Sequence, residues 1–326
     1  MASNDVPPVP VSPTAEYLPR PVRLVHIGFC GLDDSVSPNH VGAVLSSYPF
    51  VEFGILFRPE CEGSPRYASK DHVGRICDVV QAVRVHQKNK ANAEAVKISL
   101  AAHLCGSRVN EVLSGDGAFI SKLQFWGFNR VQINATAVNG VDTSSLGSDA
   151  VVKNCINIIG KYYKLQFIIQ KNEETKPLWT NLLLNRMTSE GGRKLKNMSM
   201  LLDESKGSGE VSRAYPPPPA DYDLGYAGGI GPENISEVLE KVSEAAGGRT
   251  TWIDMESSLR TKSTDGCDIF DMNKCFAVID AVVKGGFHNH PDYYLSGSGE
   301  QKDEVPKRKN QSVTDEEVVV AKRQKK

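Results

Sequence analysis

Five stretches of this chain combine residue types that could move protons or hold an anion. The first is Phe29-Cys30-Gly31-Leu32-Asp33-Asp34, which follows the almost continuously apolar run 22–29. A cysteine at such a strand end can serve as base or nucleophile once it is a thiolate, and otherwise packs as a small buried hydrophobe. The second, Phe57-Arg58 through Ser69, offers Arg58 and Arg66, whose planar guanidinium forks match carboxylates and phosphates. The third, Met200-Leu201-Leu202-Asp203, ends an apolar run on an aspartate and leads into Gly207 and Gly209, a loop able to turn backbone amides toward an anion. Asp203 could equally cap a turn. The fourth, Leu224–Glu240, runs from a strand end through Gly228 and Gly229 to Pro232 and an apolar helical stripe of Ile235, Val238 and Leu239. Free amides at a helix start attract an anion without a basic side chain, although a Gly-Gly turn also serves as a plain strand-to-helix connection. Asp254, Glu256, Ser257 and Ser258 close the set. His288 and His290 lie close together without partners at zinc-ligand spacing, and no metal site is expected.

Positioning these residues requires a sheet that ends them all on one side. Apolar runs of strand length alternate with longer amphipathic stretches, the pattern of repeated strand–helix units and a parallel sheet. Eight strands are predicted, at Arg23–Ile27, Val51–Phe57, Val96–Ala101, Arg130–Asn134, Leu165–Gln170, Ser199–Leu202, Leu224–Ala227 and Thr251–Met255. Helices are predicted at His40–Ser47, Val73–Gln87, Asp149–Tyr163, Asn181–Lys194 and Asn234–Ala245. Eight strands, each followed by a helix, make an α/β protein of the (β/α)8 TIM-barrel class, whose active site lies at the C-terminal ends of the strands.

The 326 residues are 40% hydrophobic, enough for a large buried core. A formal net charge of −1 gives no overall pull toward nucleic acid or a membrane, so neither is an expected partner. The seven cysteines lack paired spacing and read as reduced intracellular thiols. No run of about 18 apolar residues marks a membrane span. Residues 1–21 read as a flexible proline-rich arm, 22–294 as the barrel and 295–326 as a disordered charged tail. The tail carries Lys307-Arg308-Lys309 and, after a twelve-residue spacer, Lys322-Arg323-Gln324-Lys325-Lys326. Two basic clusters so spaced resemble a bipartite signal for a nuclear-import receptor, which would add the nucleus to a cytoplasmic location; a solvated tail is the alternative.

Taken in chain order, the motifs resemble phosphoribosylanthranilate isomerase, a (β/α)8 enzyme of tryptophan biosynthesis. Its Cys-Gly-Leu matches Cys30-Gly31-Leu32, and its Ser-Pro-Arg-Tyr-x-Ser matches Ser64–Ser69. Its Leu-Leu-Asp ahead of a glycine-rich loop matches Leu201–Asp203 with Gly207 and Gly209, and its Ala-Gly-Gly-x-x-Pro-Glu-Asn resembles Ala227–Asn234. Its aspartate with paired serines is similar to Asp254 with Ser257-Ser258. The resemblance implies an Amadori rearrangement of N-(5-phosphoribosyl)anthranilate to 1-(2-carboxyphenylamino)-1-deoxyribulose 5-phosphate. Cys30 would be the general base, with a lowered pKa, and Asp203 the general acid, with a raised one. Arg66 would hold the anthranilate carboxylate; Gly207, Gly209, Gly228, Gly229 and Ser257 would contact phosphate, with Asp254 beside them in the substrate site. No cofactor is implied.

Departures from that pattern are local. His26-Ile27-Gly28-Phe29 stands where the family has a lysine before its cysteine, and Gln132-Ile133-Asn134-Ala135 replaces Gln-Leu-His-Gly at strand four. Glu256 is an added carboxylate near the expected phosphate site, where it would repel the ligand. Insertions fall at 84–94, 172–198 and 211–223. Two other functions fit these residues: an isomerase for another phosphorylated sugar amine, and a non-catalytic barrel that binds a phosphorylated ligand or a protein.

Overall fold

A computed structural model describes residues 23–88, 98–188, 195–203 and 214–288. The described residues fall in one compact unit. The arm 1–21 and tail 295–326, with both basic clusters, lie outside them.

Eight parallel strands close into a barrel: β1 (Arg23–Cys30), β2 (Val51–Phe57), β3 (Ser99–Leu104), β4 (Arg130–Ile133), β5 (Gln166–Lys171), β6 (Met198–Leu202), β7 (Leu224–Tyr226) and β8 (Thr250–Met255). Closure comes from β8 pairing with β1, with Gly28 opposite Asp254. Helices α1 (Pro38–Ser47) and α2 (Lys70–Lys88) follow β1 and β2, and α3 (Ser107–Ser114) and α4 (Ala118–Phe125) follow β3. Then come α5 (Asp149–Lys161), α6 (Lys176–Thr188), α7 (Ile235–Ala246) and α8 (Met272–Lys284). A small antiparallel pair, β9 (Arg260–Lys262) and β10 (Asp268–Phe270), extends the chain beyond β8.

Several expected elements have other bounds: β1 runs on past Ile27 to Cys30, and α2 begins at Lys70 rather than Val73. β3 lies at Ser99–Leu104 rather than Val96–Ala101, because its register on β2 pairs Leu56 with His103 and Phe57 with Leu104, carrying the strand past the weak strand formers Ala101 and Ala102. Helix α6 starts at Lys176, ahead of the expected Asn181, and residues 189–194 lie outside the described ones. No helix is found between β6 and β7 among the described residues, where Pro216–Pro219 cannot supply the amide donors a helix needs.

Helix α7 illustrates how the frame is held. Ile235, Val238, Leu239, Val242 and Ala246 form its buried stripe, and burying each large side chain contributes roughly 1.5–3 kcal/mol. That anchoring sets the glycine loop ahead of it. The barrel floor is charged: Arg130 Nη1 lies 2.8 Å from Glu52 Oε1, with both side chains 3% exposed. Burial pushes the Glu52 carboxyl up, but Arg130, His26 and the Ser99 hydroxyl outweigh it and hold its pKa below the ordinary value. All seven cysteines are free thiols. No helix of the described residues is long and apolar enough to cross a membrane.

Candidate functional site

At the C-terminal mouth of the barrel is a cavity of about 370 Å³, lined by His103, Gln170, Asp203, Gly228, Gly229, Asp254, Glu256 and Ser257 among others. It gathers side chains from strands far apart in sequence, as parallel strands of one barrel must.

Cys30 is the last residue of β1, and its Sγ lies 3.2 Å from His103 Nδ1 on β3. Both residues are buried. Burial, with Glu256 and Asp254 adding negative charge, pushes the Cys30 thiol well above its ordinary value. The thiolate expected from the resemblance is therefore not the resting form, because these carboxylates oppose ionisation where a cation would be needed. Burial also lowers the His103 imidazole to about 4, against the upward pull of Glu52. At neutral pH the pair rests as thiol and neutral imidazole.

Asp254 is buried on β8, and burial, then Glu52 and Glu256, raise its carboxyl well above the usual range. That shift favours the protonated form of the Asp254 carboxyl. Sulfur, ring nitrogen and carboxylate oxygen of Cys30, His103 and Asp254 all lie within 4.8 Å of one another. Asp203 sits just past β6, where its Oδ2 accepts a hydrogen bond of 2.9 Å from Gln170 Nε2. The backbone amide of Asp203 donates to Lys171 O at 3.3 Å, fixing the strand end against β5.

Gly228 and Gly229 adopt φ of 97° and 62°, the left-handed region that favours glycine. Asn234 ties the loop: Nδ2 donates to Gly229 O at 2.8 Å, and Oδ1 accepts from the Gly231 amide at 2.9 Å. A Cβ on Gly231 would come within 2.4 Å of the Ser258 Cβ, so glycine there permits close approach of the segment after β8. Gly207 and Gly209 lie outside the described residues.

Arg66 is brought near the mouth but is already engaged. Its Nη1 donates to Glu256 Oε1 at 3.0 Å and to Ser257 Oγ at 3.1 Å, and its Nε donates to Asp268 Oδ2 at 3.3 Å. Its φ of 76° is held by a 2.7 Å bond from its amide to Asp33 Oδ2. Arg260 completes the network, with Nη2 at 2.6 Å from Asp33 Oδ2 and Nη1 donating to Gly31 O at 2.9 Å. Burial alone would raise Asp33; bonds from Ser35, the Arg66 amide and Arg260 bring its pKa below the ordinary value. Glu256 thus faces the cavity with its charge countered by Arg66. Loss of solvent still raises its pKa, and Arg66 offsets only part of that rise.

Sequence reasoning missed His103, Gln170, Arg260 and Asp268. The first two carried a signal: each is a polar residue inside an apolar strand, SLAAHL and QFIIQK, at a position that the pleat turns to the mouth. Arg260 and Asp268 had none, since their pairing depends on the β9–β10 hairpin.

No family model matches the chain, and no curated protein matches it. Among solved structures it is similar to the octameric ribulose-1,5-bisphosphate carboxylase/oxygenase of Pyrococcus horikoshii OT3, at TM-score 0.41 and 9% identity, covering 81% of this chain. The chain spans 60% of that relative's length. It is also similar to the phospho-2-dehydro-3-deoxyheptonate aldolase of Thermotoga maritima, at TM-score 0.41 and 10% identity, covering 81% of this chain and 69% of the other. Likeness this distant carries nothing about chemistry; the TIM barrel rests on the strand pairing itself, and the isomerase resemblance rests on the sequence motifs.

Proposed function

We propose that this barrel is an acid–base isomerase of a small phosphorylated sugar amine, with N-(5-phosphoribosyl)anthranilate as the substrate that the motif resemblance favours. One observation carries the reading: the Cys30–His103 contact of 3.2 Å, beneath a mouth that also holds Asp203 and the Gly228-Gly229 loop. Asp203 would protonate the furanose oxygen, breaking its bond to C1′ and leaving a Schiff base. Cys30, as the thiolate that the resemblance implies, would then take the C2′ proton, and the resulting enamine would tautomerise to the ketone. Left-handed Gly228 and Gly229 leave backbone amides free of Cβ shielding for the phosphate. Burial, with Glu52 and Glu256, raises the Asp254 pKa, a direction that lessens its repulsion of that phosphate.

The test is the fluorescence decay of freshly prepared phosphoribosylanthranilate with the purified chain, beside Cys30→Ala and Asp203→Asn. Turnover by the wild type, lost in both variants, supports the isomerase; absence of turnover in folded protein sinks it. A second reading, a non-catalytic barrel binding a phosphorylated ligand, is favoured by Arg66, whose guanidinium is held by Glu256 and Asp268 and would have to exchange them for a substrate carboxylate. Binding of ribose 5-phosphate without turnover of any sugar amine would select it.

A further inference from the structure

Beneath the mouth, Cys30, His103 and Asp254 converge from β1, β3 and β8, three strands brought together by barrel closure. Their donor atoms lie within 4.8 Å of one another, and Sγ to Nδ1 is already 3.2 Å. Bound to one zinc-sized ion at about 2.0–2.3 Å, tetrahedral ligand atoms stand roughly 3.2–3.8 Å apart. The cluster therefore needs about 1 Å of contraction, a movement that rotation of the Asp254 carboxyl can supply.

Two further features make this a built pocket. Asp254 is 9% exposed and lines the cavity, so its carboxyl meets the ligand space. The room around the cluster also depends on glycines in adjoining strands. A Cβ on Gly28 would fall 2.1 Å from Asp254 Oδ1, and one on Gly54 would fall 2.8 Å from His103 Nε2 and 3.1 Å from Cys30 Cα. Both glycines have negative φ, so the backbone does not demand them and the space they leave is the reason they fit.

We infer that Cys30, His103 and Asp254 bind one divalent transition-metal ion of the zinc class. Thiolate and imidazole select zinc-like ions over magnesium or calcium, which prefer all-oxygen sites. Thiolate and carboxylate together cancel the ion's charge, so the loaded cluster adds no net charge to the interior. His103 and Asp254 line the cavity, which gives the ion its entrance and leaves the fourth coordination position facing the ligand space. The resemblance drawn from the motifs calls for no metal, and an ion on Cys30 withdraws that residue from the proton transfer proposed above, so the metal-loaded chain is the form in which that reaction is blocked and the metal-free chain the form that would carry it out. The inference does not rest on the isomerase reading, and its test reads metal rather than turnover.

The full chain, stripped with chelator, is titrated with Co²⁺ and then Zn²⁺ while thiolate-to-cobalt charge-transfer absorption is followed. The expected result is one Co²⁺ per chain with a thiolate band, displaced by an equivalent of Zn²⁺. Cys30→Ser should abolish the band, and His103→Ala and Asp254→Asn should each weaken binding by at least ~10-fold. Asp254→Asn, nearly isosteric, keeps the test open should Cys30→Ser fail to fold, as judged by circular dichroism. Cys61→Ser and Cys267→Ser, outside the cluster, should retain the band. A folded wild type without a thiolate–cobalt band, or a band that survives Cys30→Ser or persists unweakened in Asp254→Asn, overturns the assignment.

Discussion

Replacing Arg130 with methionine asks how much the fold depends on the charged floor beneath the site. In the native barrel Arg130 and Glu52 meet at 2.8 Å with both side chains 3% exposed, and Ser99 donates its hydroxyl to the second Glu52 oxygen. Methionine fills much of the arginine stem's volume but leaves Glu52 buried without its cation. Removing one member of such a pair costs about 3–5 kcal/mol. Loss of the guanidinium above Trp252, 4.5 Å from the ring centre, adds roughly 0.5–2 kcal/mol. A total loss of roughly 3.5–7 kcal/mol at pH 7 is expected from the two terms.

The pH dependence has a definite sign. In the native protein Glu52 titrates below its ordinary value of 4.5, so its contribution is present above that value and is lost as pH falls through the folded pKa. Without Arg130, burial dominates and raises the same pKa, so protonation relieves the variant's penalty as pH falls from 7. The stability gap between wild type and variant should therefore shrink toward pH 5. Urea unfolding followed by tryptophan fluorescence at pH 7 and pH 5 measures it, with buried Trp252 beside the altered residue. Glu52→Leu added to Arg130→Met should recover part of the loss, because no orphaned charge remains. A single-variant loss below about 1 kcal/mol that does not change with pH, or a double variant no better than the single, would show that the pair does not hold the floor together.

Three further outcomes follow from distances in the mouth. Gly28→Ala puts a methyl where Asp254 Oδ1 stands, so it should destabilise the barrel by roughly 1–3 kcal/mol, measured by thermal unfolding, and weaken Co²⁺ binding together with it. Iodoacetamide at pH 7.5, followed by peptide mass spectrometry, should label exposed Cys267 well before Cys30, whose thiol is buried and resists ionisation; equal rates would contradict that environment. Asp33→Asn should cost about 2–4 kcal/mol at pH 7 by leaving buried Arg260 under-compensated. Because Asp33 titrates below its ordinary 3.8, that cost should persist down to about that pH and fade beneath it, which acid unfolding curves of the two proteins would check.

Hydrophobic patterning alone determined that this chain builds a parallel (β/α)8 barrel, since strands covered on both faces read as apolar runs and their connections as amphipathic helices. It also identified Cys30, Asp203 and Asp254 as strand-end residues, because a parallel barrel sends every strand's C-terminus to one mouth. The glycine loop was equally legible: Gly228 and Gly229 occupy left-handed backbone that few other residues tolerate. Which side chains meet was not legible, because it depends on register and closure. The β1–β2 and β2–β3 registers bring His103 to Cys30, and the β1–β8 pairing sets Asp254 beside them both. The ionisation states were decided there too. Cys30 and Asp254 are driven toward their neutral forms by burial and by carboxylates from other strands, and Arg66 is engaged by Glu256 and Asp268 from the segment beyond β8. Charge interactions of that kind act through space at a few ångströms, across separations along the chain that no local pattern records.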